Sequence, residues 1–112
     1  MELKTRQVNG IIILELEGRF DAHTAQPVDD FLHEATLRDP AYVTVNLAQV
    51  TFVDSTALST LVSGMKRARQ RDGDLRLCCL QRPVRMIFEL TRLDKAFEIF
   101  AGEDEALQAF TS

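Results

Sequence analysis

Tryptophan is absent from this 112-residue chain, tyrosine occurs once, and cysteine and histidine occur twice each. Two cysteines are too few for a disulfide-stapled fold, and they are neighbours, Cys78 and Cys79, in the run LRLCCL. In a strand they point to opposite faces, so they cannot join distant loops and read as reduced packing residues of a cytosolic protein. His23 and His33 stand too far apart for a metal-ligand pair, and Glu103-Asp104-Glu105 reads as a solvated helix start. No metal or cofactor is expected. No apolar stretch approaches the ~20 residues that span a bilayer. The longest strongly apolar run is Ile11 to Leu14, and the start MELKTRQVNG has no signal-peptide core, so a cytoplasmic protein without membrane contact is expected. Positive charge is also short, 13 Lys and Arg against 17 Asp and Glu, which argues against nucleic acid. The pattern G-x-S-x-G and a Gly-rich phosphate loop are both missing, so neither a hydrolase nor a nucleotide site is indicated. No catalytic residue is proposed, and an enzyme is not expected.

What is present suits one globular domain over residues 1–112, with 46% of residues hydrophobic. Asn9-Gly10 is a strong two-residue turn signal and makes residues 2 to 17 a hairpin that Gly18 closes. In GRFDAHTAQP, Thr24 is a candidate cap for a helix with Ala25, Val28, Phe31, Leu32 and Ala35 inward, ending near Asp39-Pro40. Asp72-Gly73-Asp74 breaks the chain before a strand from Leu75 to Leu80. Arg82-Pro83 starts a third helix with Val84, Ile87, Phe88 and Leu90 or Thr91 toward the core. Phe97, Ile99 and Phe100 fit a last short strand, and Gly102 opens a terminal helix that buries Ala106, Leu107 and Phe110. Phe20, Phe31, Phe88, Phe97 and Phe110 read as core.

The centre of the chain is AYVTVNLAQVTFVDSTALSTLVSGMKRARQR, residues 41 to 71. Val43, Val45, Leu47 and Val50 form a buried strand. From Ala57 the apolar residues at 57, 58, 61, 62, 65 and 68 form one helical stripe, with the basic residues off it. Asp54 can cap this helix, leaving the hydroxyls of Ser55 and Thr56 at the positive end of its dipole. The order ββαβαβαβα implies a mixed, mostly parallel α/β sheet with an N-terminal hairpin and four helices. Function in such sheets collects where strands end and helices begin, as at Asp21–Thr24 and Asp54–Thr56, and the topology allows these loops to be neighbours.

FVDSTAL, an apolar pair followed by Asp-Ser-Ser/Thr at a strand-to-helix turn, resembles the signature of STAS domains of the anti-sigma-factor antagonist type. GRFDAHTA, the DG turn before LRLCCL, the helix Val84 to Leu93 and the element order extend the resemblance over nearly the whole chain. It implies an interaction protein, with no chemistry of its own, that takes part in partner switching and regulation of transcription. The unmodified form binds an anti-sigma factor that is also a serine/threonine protein kinase; phosphorylation at Ser55 or Thr56 ends binding, and a metal-dependent Ser/Thr phosphatase restores it. The implied partner surface is Asp21, His23, Thr24, Asp54, Ser55, Thr56, Ala57 and Ser59. Many relatives carry Gly-Leu-Gly where this chain has Ala57-Leu58-Ser59, which stiffens the first helical turn. The alternative within the same family is a scaffold or assembly subunit of a stress-sensing or transport complex, with Ser55 and Thr56 merely structural.

Overall fold

Asn9 and Gly10 both adopt positive φ, 51° and 81°, the conformation a two-residue turn between twisted antiparallel strands requires. They join strand β1 (Glu2–Val8) to β2 (Ile11–Phe20) in a computed structural model that describes residues 1–111. Helix α1 (Ala25–Ala35), β3 (Tyr42–Val53), α2 (Ser55–Gln70), β4 (Asp74–Cys78), α3 (Arg82–Leu90), β5 (Ile99–Phe100) and α4 (Glu103–Thr111) follow, with a short 3₁₀ turn at Leu93–Lys95. The order ββαβαβαβα is the one the sequence implies. The strands lie side by side in chain order; β1 is antiparallel to β2 and every other pair is parallel.

Alternation along the strands sets the two layers. Leu14, Val45 and Leu77 point to the face covered by α1, α2 and α3, where they meet Val28, Leu32, Leu61, Met65, Val84 and Phe88 in one buried cluster. The opposite face presents Ile13, Thr44 and Cys78, all buried, and α4 packs across it with Phe110 against Tyr42, ring centroids 4.9 Å apart. The unbroken run Ile11 to Leu14 follows from this, since both faces of β2 are covered.

Local expectations are corrected in several places. Gly18 does not end β2. At φ 112° it marks a register shift against β3, and the strand continues to Phe20. Helix α1 stops at Ala35, short of Asp39-Pro40, and the Thr36 hydroxyl donates to the Leu32 carbonyl, 2.7 Å away. Strand β4 ends at Cys78 because Cys79 turns to φ 67°; both cysteines are free, and burial pushes the Cys78 thiol up. Phe31 packs only at the margin of the core, and Leu90, placed inward by the sequence pattern, is 74% exposed.

Glu103 is not simply solvated. Its carboxylate accepts from Arg6 of β1 and, at 3.0 Å, from Asn46 of β3, while Arg6 also reaches Glu15 at 3.0 Å. These bonds fasten the start of α4 across three strands. Because Arg6 is about half exposed, an Arg6→Ala/Glu103→Ala double-mutant cycle is expected to give a coupling of only about 0.5–1 kcal/mol, shrinking as salt is raised. Urea unfolding of the four proteins at low and high ionic strength measures it.

Candidate functional site

The site is built at the C-terminal ends of β2 and β3, where two loops meet through one carboxylate. Asp54 follows β3 in extended conformation, φ −116° and ψ −174°, and its Oδ1 accepts from the Ala57 amide at 2.9 Å, capping α2. Its Oδ2 accepts from the Ala22 amide, also at 2.9 Å, thirty-two residues earlier in the chain. The cap of α2 is therefore also the fastener of the β2–α1 loop.

That loop is organised by Asp21 and Thr24. Asp21 Oδ1 accepts from the His23 amide at 2.9 Å, and the Thr24 amide donates to the Asp21 carbonyl at 3.0 Å. The Thr24 hydroxyl does not cap α1, contrary to the sequence expectation. It accepts from the Asp21 amide at 2.9 Å and donates to the Arg19 carbonyl at 2.9 Å, tying the loop to the end of β2. Desolvation raises the affinity of Asp21 for a proton, but the His23 amide, the Thr24 hydroxyl and the His23 and Arg19 charges together outweigh it. The carboxyl lies below its ordinary range and is charged at neutral pH.

Ser55 and Thr56 open α2 and are exposed. Neither hydroxyl is engaged by another residue among those described, whereas the Thr56 carbonyl accepts from Thr60 Oγ1 at 3.0 Å. His23 and Ser59 are exposed; Asp21, Thr24 and Asp54 are half-buried. Ala57 is the exception in the implied partner surface. It is 0% exposed, so its methyl group packs under the turn and offers nothing to a partner.

Sequence reasoning missed a groove beside these residues. Between α1 and α2 a hollow of about 300 Å³ is lined by Ala22, Ala25, Gln26, Thr56, Ser59 and Ser63, among others. The signal was available: Thr56, Ser59 and Ser63 repeat at helical spacing along α2, off its apolar stripe. Among the described residues no group of three or more His, Cys, Asp or Glu side chains is placed to hold a metal ion, and no helix is long and apolar enough to cross a membrane. The arrangement offers two exposed hydroxyls at a helix N-terminus, flanked by two carboxylates.

An anti-sigma-B factor antagonist of Listeria monocytogenes is 32% identical over 105 residues, covering 94% of this chain and 91% of the relative. An anti-sigma factor antagonist of Mycobacterium paratuberculosis superposes with a TM-score of 0.89 at 22% identity, covering 99% of this chain and 94% of that one. The phosphorylated form of the Bacillus cell-fate determinant SpoIIAA superposes with a TM-score of 0.74 at 19% identity, covering 96% and 98%. The family model for the STAS domain matches residues 2–106, and the chain belongs to the STAS-domain family.

Proposed function

We propose that this protein is a cytoplasmic anti-sigma-factor antagonist whose unphosphorylated form binds a kinase-type anti-sigma factor and is released when Ser55 or Thr56 is phosphorylated. The observation that carries the reading is the Asp54 carboxylate. By holding Ala57 and Ala22 at once, it presents the Asp21–Thr24 loop and the first turn of α2 as one surface while leaving both hydroxyls free. A serine/threonine kinase needs such an accessible hydroxyl, and a metal-dependent phosphatase needs the same access to reverse the step.

The switch follows from electrostatics. A phosphate adds about −1.5 to −2 charges at the N-terminus of α2, where free amides and the helix dipole accommodate it, so the fold survives. A partner seated on the same turn must instead desolvate that dianion beside Asp54 and the charged Asp21. Each ~1.4 kcal/mol of this penalty weakens binding tenfold. Release is by exclusion at the interface, with little internal rearrangement.

The test is intact-mass analysis with site mapping on protein from growing and stressed cells. Phosphate on Ser55 or Thr56 whose occupancy changes with condition is the expected result. Absence of phosphate under every condition would favour a scaffold role. The double variant Ser55→Ala/Thr56→Ala is expected to keep its unfolding midpoint within about 0.5 kcal/mol of stability and to retain the anti-sigma partner under conditions that release the natural protein. Loss of binding with the fold intact would show that the hydroxyls themselves are contact groups.

A further inference from the structure

Helix α3 carries more apolar surface than the sheet beneath it uses. Val84 and Phe88 face inward and are buried. Pro83, Met86, Ile87 and Leu90 fall at i, i+3, i+4 and i+7, an adjoining stripe at about 3.6 residues per turn; Ile87, at its inner edge, packs against the core, while Pro83, Met86 and Leu90 are exposed. Met86 is 50% exposed and Leu90 74%, and Phe52 near the end of β3, 38% exposed, lines a hollow with Pro83 and Ile87 of α3. Among the described residues five large hydrophobic side chains are exposed, and two of them, Met86 and Leu90, lie on α3 with Phe52 next to its first turn.

The stripe is flanked by hollows rather than by a flat surface. On one side Phe52, Val53, Pro83 and Ile87 border a pocket of about 130 Å³. On the other Leu80, Arg82, Arg85, Met86 and Glu89 border one of about 450 Å³. The charge at the rim is mainly basic, with Glu89 as the one acid lining the larger hollow. Arg82, Arg85 and Arg92 form no ion pair among the described residues, and Glu89 is the helix's only acid. Arg19 stacks over the Phe52 ring at 4.0 Å, but its charge is already paired with Asp21 at 3.6 Å. This basic rim belongs to a chain whose net charge is −4.

We infer that the outward stripe of α3, with Phe52, is a docking surface for an acidic amphipathic helix of a partner protein, separate from the Ser55 turn. A partner helix with apolar side chains at the same period fills the two hollows, and its flanking carboxylates meet the guanidinium groups of Arg82, Arg85 and Arg92, which form no ion pair among the described residues. The hollows suit side-chain knobs better than a bilayer, and the net negative charge of the whole chain opposes an anionic membrane. A second copy of this chain is a poor occupant. Its acidic helix α1 has Asp29 already engaged by His33 and Arg67, and the contact would be head-to-tail and open-ended.

The full chain is titrated by fluorescence anisotropy with two labelled synthetic helices of identical apolar spacing, one flanked by glutamates and one by lysines. Phosphatidylglycerol vesicles are tested by co-sedimentation and self-association by light scattering. Saturable binding of the glutamate helix, about tenfold tighter than the lysine helix and weakened by salt, is expected. Met86→Lys/Leu90→Lys removes about tenfold or more of that affinity without moving the thermal midpoint, since both positions are exposed. Arg82→Glu/Arg85→Glu reverses the preference between the helices. The proposal is overturned by no saturable binding of the glutamate helix, by equal binding of the two helices, by vesicle binding alone, or by a dimer that Met86→Lys/Leu90→Lys dissolves.

Discussion

Gly73→Ala is expected to destabilise the protein by about 3 kcal/mol, a large share of the ~5–15 kcal/mol that holds a typical domain folded. A Cβ at this position would lie 1.9 Å from the Ala41 carbonyl oxygen, 2.5 Å from its carbon and 2.8 Å from the Ala41 nitrogen. All three are backbone atoms, so no rotamer change relieves the clash. Ala41 is also held from both sides: its amide donates to the Arg71 carbonyl at 3.2 Å, and its carbonyl accepts from Asp74 at 3.0 Å. These bonds start the parallel pairing of Tyr42 with Asp74 and hence the register of β3 against β4. Moving the turn away from Ala41 instead costs the bond from the Gly73 amide to Ala68, 3.0 Å long. Urea unfolding followed by circular dichroism measures the loss. A change under about 1 kcal/mol would show that the α2–β4 turn shifts freely, contrary to this bonding.

The elements legible in the sequence are those fixed by short-range chemistry. Asn9-Gly10 dictates its own turn, Asp54 lies one residue before a helix it can cap, and the valine-rich run before it has nowhere to go but a covered strand. What the sequence conceals depends on partners remote in the chain. Glu103 reads as solvent-exposed until Arg6, ninety-seven residues away, is seen beside it. Thr24 occupies a cap position by spacing, yet the Asp21 amide and the Arg19 carbonyl capture its hydroxyl first. Leu90 continues an apolar pattern that is real, but it lies on an arc of α3 turned away from the buried Val84 and Phe88. Periodicity reports which arc of a helix is apolar and is silent on how much of that arc the fold covers.

The same limit applies at the site. Asp54 is predictable as a cap, but its second oxygen is not, because nothing in the sequence says that Ala22 lies within reach. The consequence is an expected double loss in Asp54→Ala. Removing the cap costs about 1 kcal/mol and freeing the Ala22 amide about 1 kcal/mol more, so urea unfolding is expected to register about 2 kcal/mol in all. Asp54→Asn separates the two parts. Its single carbonyl oxygen serves one amide well, and asparagine is a good N-cap, so Ala57 is expected to stay protected from hydrogen exchange while Ala22 is released. If the proposed switch is right, this variant keeps α2 and an available Ser55 yet binds the anti-sigma partner more weakly, because the Asp21–Thr24 loop is no longer held against the helix. Equal protection of Ala22 in the natural protein and in Asp54→Asn would mean that the Thr24 and Asp21 bonds alone fix the loop. The surface would then be assembled by β2, and Asp54 would matter only to the helix it caps.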